Sequence, residues 1–263
     1  MTDDSDVREA SVKRRQITVD ELRRRMLDAA LEMLGDDGLT VGVSHLNMEE
    51  IIRLAGVPRS SVYREWDTKE DFYVELLIAL VEPGPAQALA FDVETLQLAI
   101  KVVDDNVERL TTRGGRHAVL AEAIRIAGER NFQALNESPT YRTVTALVAA
   151  LPTFEDAQRE KIAKALVDSE VYYPERVAQF YRMFLPVMGF RVREGISELQ
   201  LAIASASVVE GMTRRGFTTP DVVATPVSYP GIDGEPVDWH LAALTLLGVI
   251  EFMVEPIPGW TPE

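Results

Sequence analysis

Gly56 sits between two stretches of helical periodicity, and that arrangement constrains the chain around it more than any other feature. Met48–Ala55 sets Met48, Ile51, Ile52 and Ala55 on one side of a short helix. Pro58–Tyr63 begins a second short helix, since proline suits a first helical turn, and Trp66-Asp67 breaks it. Two helices that cross steeply over so few residues need one residue that tolerates positive φ, and glycine does so without steric cost. They also need apolar side chains that pin both to a third element, here Ile51, Ala55, Val57 and Val62.

This is the plan of a helix-turn-helix, whose second helix is left free to enter the major groove of DNA. The outward positions carry Arg59, Ser60, Tyr63 and Arg64. Arginine reads guanine bidentately, and Ser or Tyr bonds phosphate or base edges. The flanks fit one continuous unit. Val19–Leu34 repeats Leu22, Met26, Leu27, Ala30, Leu31 and Leu34 at spacings of three and four, with Thr18 or Asp20 to cap it and Gly35 and Gly38 to stop it. Leu39–Asn47 reads as a loop. Thr68–Val81 reads as a longer helix with Phe72, Leu76, Leu77 and Leu80 on one face, and Thr68 and Asp71 have capping-box spacing. Glu82-Pro-Gly-Pro85 interrupts the chain and marks a boundary between a unit at 19–81 and a larger one at 86–263; residues 1–18 read as a flexible arm.

Charge complicates a nucleic-acid reading, because phosphate binding favours a basic face. The 263 residues carry a formal net charge of −15, and residues 1–81 hold 11 Lys/Arg against 17 Asp/Glu. Positive charge is instead concentrated. Arg8, Lys13, Arg14, Arg15, Arg23, Arg24 and Arg25 fall in residues 8–25, and Arg59, Arg64 and Lys69 follow.

Beyond the boundary helical periodicity dominates, which makes the predicted fold all-α: an N-terminal three-helix helix-turn-helix domain and a larger helical domain. Helices are expected near 92–112, 115–134, 140–150, 154–169, 173–190, 196–214 and 238–254, with breaks at Gly114-Gly115, Ser138-Pro139, Pro152, Pro174 and Gly195. Thr218–Val237, with four prolines, is expected to be an irregular connection. No alternation is long enough to promise a sheet. There are no cysteines, so disulfides and thiolate metal sites are excluded. Residues 1–25 lack the apolar stretch of a secretory signal, and the longest apolar runs, such as Leu241–Ile250, fall well short of the roughly 20 residues that span a bilayer. A soluble, cytoplasmic protein without membrane partners is expected.

Residues 22–81 resemble the DNA-binding domain of the TetR family of bacterial repressors. The resemblance lies in Arg25-Met-Leu-Asp-Ala-Ala-Leu-Glu-Met-Leu34 followed by Gly38, in Met48-Glu-Glu-Ile-Ile-Arg-Leu-Ala-Gly-Val57 with Arg59-Ser-Ser-Val-Tyr-Arg64, and in Trp66-Asp-Thr-Lys-Glu-Asp-Phe72. The chain departs from the family pattern at several points. Ile52 stands in place of a small Ala, Pro58 in place of a Ser or Thr cap, and Trp66 in place of Phe. Glu65 lies where a neutral residue is common and would repel phosphate unless paired. The loop Leu39–Asn47 is longer than usual.

The resemblance implies a homodimeric repressor on an operator, released by a small-molecule effector. Operator contacts then fall to Arg59, Ser60, Ser61, Tyr63, Arg64, Thr68 and Lys69, the last at a helix N-terminus where free N–H groups also attract phosphate. Arg14 and Arg15 belong either to an arm that reaches a groove or to a solvated tail. It also implies dimerisation through the last two helices, near 196–214 and 238–254, where Ala202, Ala204, Ala206 and Gly211 allow close approach and Leu241, Leu244, Leu247, Ile250 and Val254 line an apolar side. Phe132, Tyr141, Tyr172, Tyr173, Phe180, Tyr181, Phe184 and Met188 are candidates for an effector pocket, or for plain core. No cofactor and no metal site is expected. A helical enzyme and a helical interaction module without DNA binding are the competing classes. His45, His117 and His240 lie far apart without ligand partners, and no Gly-rich phosphate loop follows a strand; no catalytic residue is assigned.

Overall fold

The computed structural model describes residues 17–34, 46–81 and 93–261. Arg14, Arg15, most of the expected arm, nearly all of the loop at 39–47 and the boundary at Glu82–Pro85 lie outside the described residues.

Helix α1 (Val19–Leu34) begins where Thr18 Oγ1 accepts the N–H of Glu21 at 3.2 Å. It buries Leu22, Met26, Ala29, Ala30 and Leu34, while Leu31, expected on the inner face, stands at its exposed edge. In α2 (Met48–Ala55) the Asn47 side chain accepts from the N–H of Glu49, and Gly56 ends the helix at φ 64° and ψ 34°. Pro58 occupies the N-cap position of α3 (Arg59–Glu65) rather than its first turn and supplies no side-chain cap; the helix ends at Trp66, its C-cap. The Thr68–Asp71 capping box is present at the start of α4 (Lys69–Val81): Asp71 N–H donates to Thr68 Oγ1 at 3.1 Å, and Thr68 N–H donates to Asp71 Oδ2 at 3.2 Å. Phe72, Leu76 and Leu77 are buried as expected, together with Tyr73 and Val74.

Helices α5 (Val93–Asp104), α6 (Arg113–Glu137), α7 (Pro139–Ala150), α8 (Asp156–Val187), α9 (Glu198–Thr218), α10 (Pro220–Ala224) and α11 (Leu241–Met253) build the larger part. The helix expected over 92–112 stops at Asp104 and resumes as a 3-10 turn, Val107–Thr111. The break expected at Pro174 does not occur: α8 is one helix of 32 residues with Pro174 inside it. A proline costs one backbone hydrogen bond, but the helix buries side chains in a separate core on each side of it, and that packing holds it whole.

Four short strands form two antiparallel pairs. β1 (Phe190–Val192) pairs with β4 (Val254–Pro256), setting Phe190 opposite Pro256, and β2 (Val227–Pro230) pairs with β3 (Pro236–Trp239), setting Val227 opposite Trp239. At three or four residues each, they are too short for alternation to show in the sequence. The expected connection at Thr218–Val237 is therefore ordered as α10 and most of a hairpin.

The first core gathers α1 to α4 and is completed by Leu147 of α7 and by Ile162 and Leu166 of α8, all buried. The second core gathers α5, α6, α8, α9 and α11, with Trp239 and Met188 fully buried. Gly128 lets α6 and α11 meet closely, since a Cβ there would stand 3.2 Å from the Ala243 Cα. One helix, α8, thus contributes Ile162 and Leu166 to the first core and Val177, Tyr181 and Leu185 to the second.

Candidate functional site

The turn at Gly56 and the full burial of Ile51 and Val62 hold α3 with its outer side in solvent. Arg59, Ser60, Tyr63 and Arg64 are exposed, as the sequence pattern requires, and Ser61 is half-buried. The two edges of α3 differ. On one, Glu49 of α2 pairs with Arg59 at 2.8 Å and accepts from the Tyr63 hydroxyl at 3.1 Å, while the Arg59 guanidinium lies over the Tyr63 ring at 5.4 Å. On the other, Ser61 and Arg64 border a groove against the start of α1, with Arg25 also on its wall. Arg64 has no carboxylate partner among the described residues. Lys69 is exposed beside Glu70 at 3.7 Å. The Thr68 hydroxyl donates to Asp71 Oδ2 at 2.7 Å, so its proton serves the helix cap.

Charge near this face is largely neutralised within the chain. Arg24 bonds Glu21 and Asp28, and Arg25 bonds Glu21 at 2.6 Å. The Arg25 and Arg24 guanidinium groups hold the Glu21 carboxyl below its ordinary range. Glu65, expected to repel phosphate unless paired, is paired: Arg23 Nε donates to its Oε1 at 2.6 Å. Trp66, where the family has Phe, is buried edge-on to Phe72 at 5.1 Å, and its indole N–H donates to Glu75 Oε2 at 2.8 Å. Glu49 was not singled out from the sequence, where it reads only as an acidic first-turn residue that suits the helix dipole.

The residues considered for an effector pocket separate into groups. Tyr141 and Tyr173 line an open cleft of about 650 Å³ between α7, α8 and α9. Phe180, Tyr181 and Phe184 line a recess of about 50 Å³ on the α5–α6 side. Met188 belongs to the core, and the Phe132 ring packs on His240 at a centroid distance of 4.3 Å; neither borders the cleft. Tyr172 is exposed and meets Tyr173 edge-on. Burial raises the Tyr141 and Tyr173 hydroxyl pKa values and pushes Tyr181 up to about 12, so all three are neutral at ordinary pH.

Asn131, also missed, borders both the cleft and the recess. Its signal was present: it falls in the buried stripe of α6 with Leu120, Ile124, Gly128 and Leu135, where an amide is out of keeping with its neighbours. Among the described residues no group of three His, Asp or Glu side chains is placed to hold a metal, and no helix is long and apolar enough to cross a membrane.

Residues 26–76 match the family described as bacterial regulatory proteins, tetR family. That segment contains α2, α3 and most of α1 and α4. No curated protein matches the chain. Among solved structures, the reduced form of NemR from Escherichia coli is 12% identical, covering 90% of this chain and 99% of that one at a TM-score of 0.47. A TetR transcription regulator from Haloarcula marismortui is 13% identical over 90% of this chain and 100% of that one, at 0.44. NalD of Pseudomonas aeruginosa, described as the secondary repressor of the MexAB-OprM multidrug efflux pump, is 20% identical over 92% and 100%, at 0.38.

Proposed function

We propose that this chain, a TetR-like transcriptional regulator by the DNA-binding domain that its residues 26–76 match, works as a cytoplasmic, non-enzymatic homodimeric repressor released from its operator by a small-molecule effector. The observation that carries this reading is the exposure of Arg59, Ser60, Tyr63 and Arg64 on a short helix whose inner residue, Val62, is fully buried. Such a helix presents its outer side to the major groove. Arg59, Arg64 and Lys69 take phosphates or base edges, Ser60, Ser61, Tyr63 and Thr68 add hydroxyls, and Arg14 and Arg15 add an arm. In this division residues 1–18 are the arm, 19–81 read DNA, and 86–263 bind the effector and the second protomer.

Two protomers place two recognition helices about one DNA turn apart. The proposed interface is α9 with α11. Exposed Leu199 and Phe217 on α9 and Phe252 on α11 support it. Ala242, Ala243, Leu246, Leu247 and Ile250 of α11 already pack inside the protomer, so the interface rests on the outer side of that helix.

Release follows from the path of α8. Leu166 lies in the first core and Tyr173 on the cleft wall, about 10 Å apart along one helix. Leu147 and Val148 of α7 stand in the same relation. An effector that binds one arrangement of α7 and α8 better than the other shifts the population of DNA-binding geometries. Replacing Arg59, Tyr63 and Lys69 by Ala together should abolish binding to an operator recovered from randomised duplex DNA, with folding and dimerisation intact. Unchanged affinity in that variant overturns the reading.

A further inference from the structure

Asn131 is 6% exposed, and its Oδ1 has no hydrogen-bond partner among the described residues. A buried amide oxygen left unpaired is destabilising because its hydration is lost and not replaced, yet Asn131 sits in the stripe where Leu would pack without that cost. It also borders the cleft of about 650 Å³ between α7, α8 and α9. Such a volume suits a small organic molecule.

The other walls restrict the chemistry of an occupant. Leu135, Val144, Val148, Val177 and Ile203 make it mostly apolar. Among the described lining side chains the charged ones are Glu210 and Arg214, both exposed and of opposite sign. They act in opposition on the Tyr141 hydroxyl, which donates to the Glu210 carbonyl at 3.1 Å. The inner polar groups, Asn131, Ser169 and Tyr173, are neutral. Among the described residues no fixed charge in the interior is positioned to compensate an ionised ligand, and an uncompensated charge there carries a desolvation cost.

We propose that the α7–α8–α9 cleft takes an uncharged, largely apolar molecule bearing a hydroxyl or amide N–H, which donates to Asn131 Oδ1 while its hydrocarbon part lies along α7 and α9. This ligand class rests on the effector-release reading above and narrows it. A hydroxyl both donates and accepts, so it suits either orientation of the Asn131 amide.

Calorimetric titration of the full-length protein with 1-octanol, octanoate, octylammonium and 1-methoxyoctane tests the assignment. Octanol should bind at least tenfold more tightly than either ion. It should also bind several-fold more tightly than methoxyoctane, which has no donor for Asn131. Asn131→Leu should remove the preference for octanol over methoxyoctane. The methoxyoctane comparison uses the unaltered protein and stands whether or not that variant folds. Octanoate or octylammonium binding as tightly as octanol, methoxyoctane matching octanol, or no binding of octanol overturns the assignment. Operator affinity measured on the same preparation keeps the two readings apart. Intact DNA binding without octanol binding sinks the ligand class alone, and octanol binding without DNA binding supports it while sinking the repressor reading.

Discussion

Arg23 of α1 donates from Nε to Oε1 of Glu65, at the last position of α3, across 2.6 Å and 42 residues of sequence. The Glu65 side chain is only 15% exposed and Arg23 is 48% exposed, so the carboxylate is shielded at the end of the helix proposed to enter the groove. Arg23→Ala should therefore weaken operator binding, and adding Glu65→Gln should restore part of the loss. A double-mutant cycle by fluorescence anisotropy should give a coupling of roughly 0.5–1 kcal/mol. A coupling of zero would mean that Arg23 and Glu65 act on DNA binding independently of each other.

Glu49 holds both Arg59 and the Tyr63 hydroxyl, and on the proposed reading a phosphate or base competes for the same donors. Glu49→Gln removes that competition and one negative charge. Operator affinity should rise roughly two- to fivefold, the scale of an exposed ion pair of ~0.5–1 kcal/mol. A fall in affinity would show instead that Glu49 aligns Arg59 for reading and that the alignment outweighs the charge.

Arg64 has no carboxylate partner among the described residues, and the Lys69 ammonium stands 3.7 Å from Glu70. Arg64→Ala and Lys69→Ala should each lower the slope of log affinity against log salt by about 1 if each contacts one phosphate. Their unfolding midpoints should stay near that of the unaltered protein, because both side chains are exposed. An unchanged slope removes the residue from the phosphate contacts.

Gly56 is left-handed at φ 64°, and a Cβ built there meets nothing within 4 Å. Gly56→Ala therefore isolates the backbone cost, with no clash added. Urea unfolding should show a loss of about 1–2 kcal/mol. A neutral result would mean that the turn relaxes to another conformation, and operator binding should then fall through misplacement of α3.

His240 caps α11 through Nδ1, which accepts the N–H of Ala242 at 3.2 Å. Burial lowers its pKa from the ordinary value of 6.5, partly opposed by Glu129. In this case the unfolded chain takes the proton first. The stabilisation is whole above pH 6.5 and is lost as pH falls from there toward the lowered folded value. Unfolding midpoints between pH 7.5 and 5.5 should fall more in the unaltered protein than in His240→Asn, which keeps a capping side chain without a titratable ring. Equal falls would assign the pH dependence to other groups.

The amino-acid sequence by itself determined the helices of the DNA-binding unit, their order, the turn at Gly56 and the capping box at Thr68. Those features arise from residues at most four apart, where side-chain spacing and backbone hydrogen bonding are local. Asn131 stands as an amide in the buried stripe of α6, and the cavity beside it exists only in the tertiary structure. Tertiary structure decided the rest. Glu65 acquired its partner from a helix 42 residues away. α8 ran through Pro174 because two cores grip its ends. β1 found β4 across more than 60 residues of intervening chain. Tyr141 and Tyr173 came to one cleft while Phe132 and Met188 did not. Burial and pairing between distant segments depend on how whole helices pack, and aromatic spacing reads the same whether its face meets a core, a cavity or solvent.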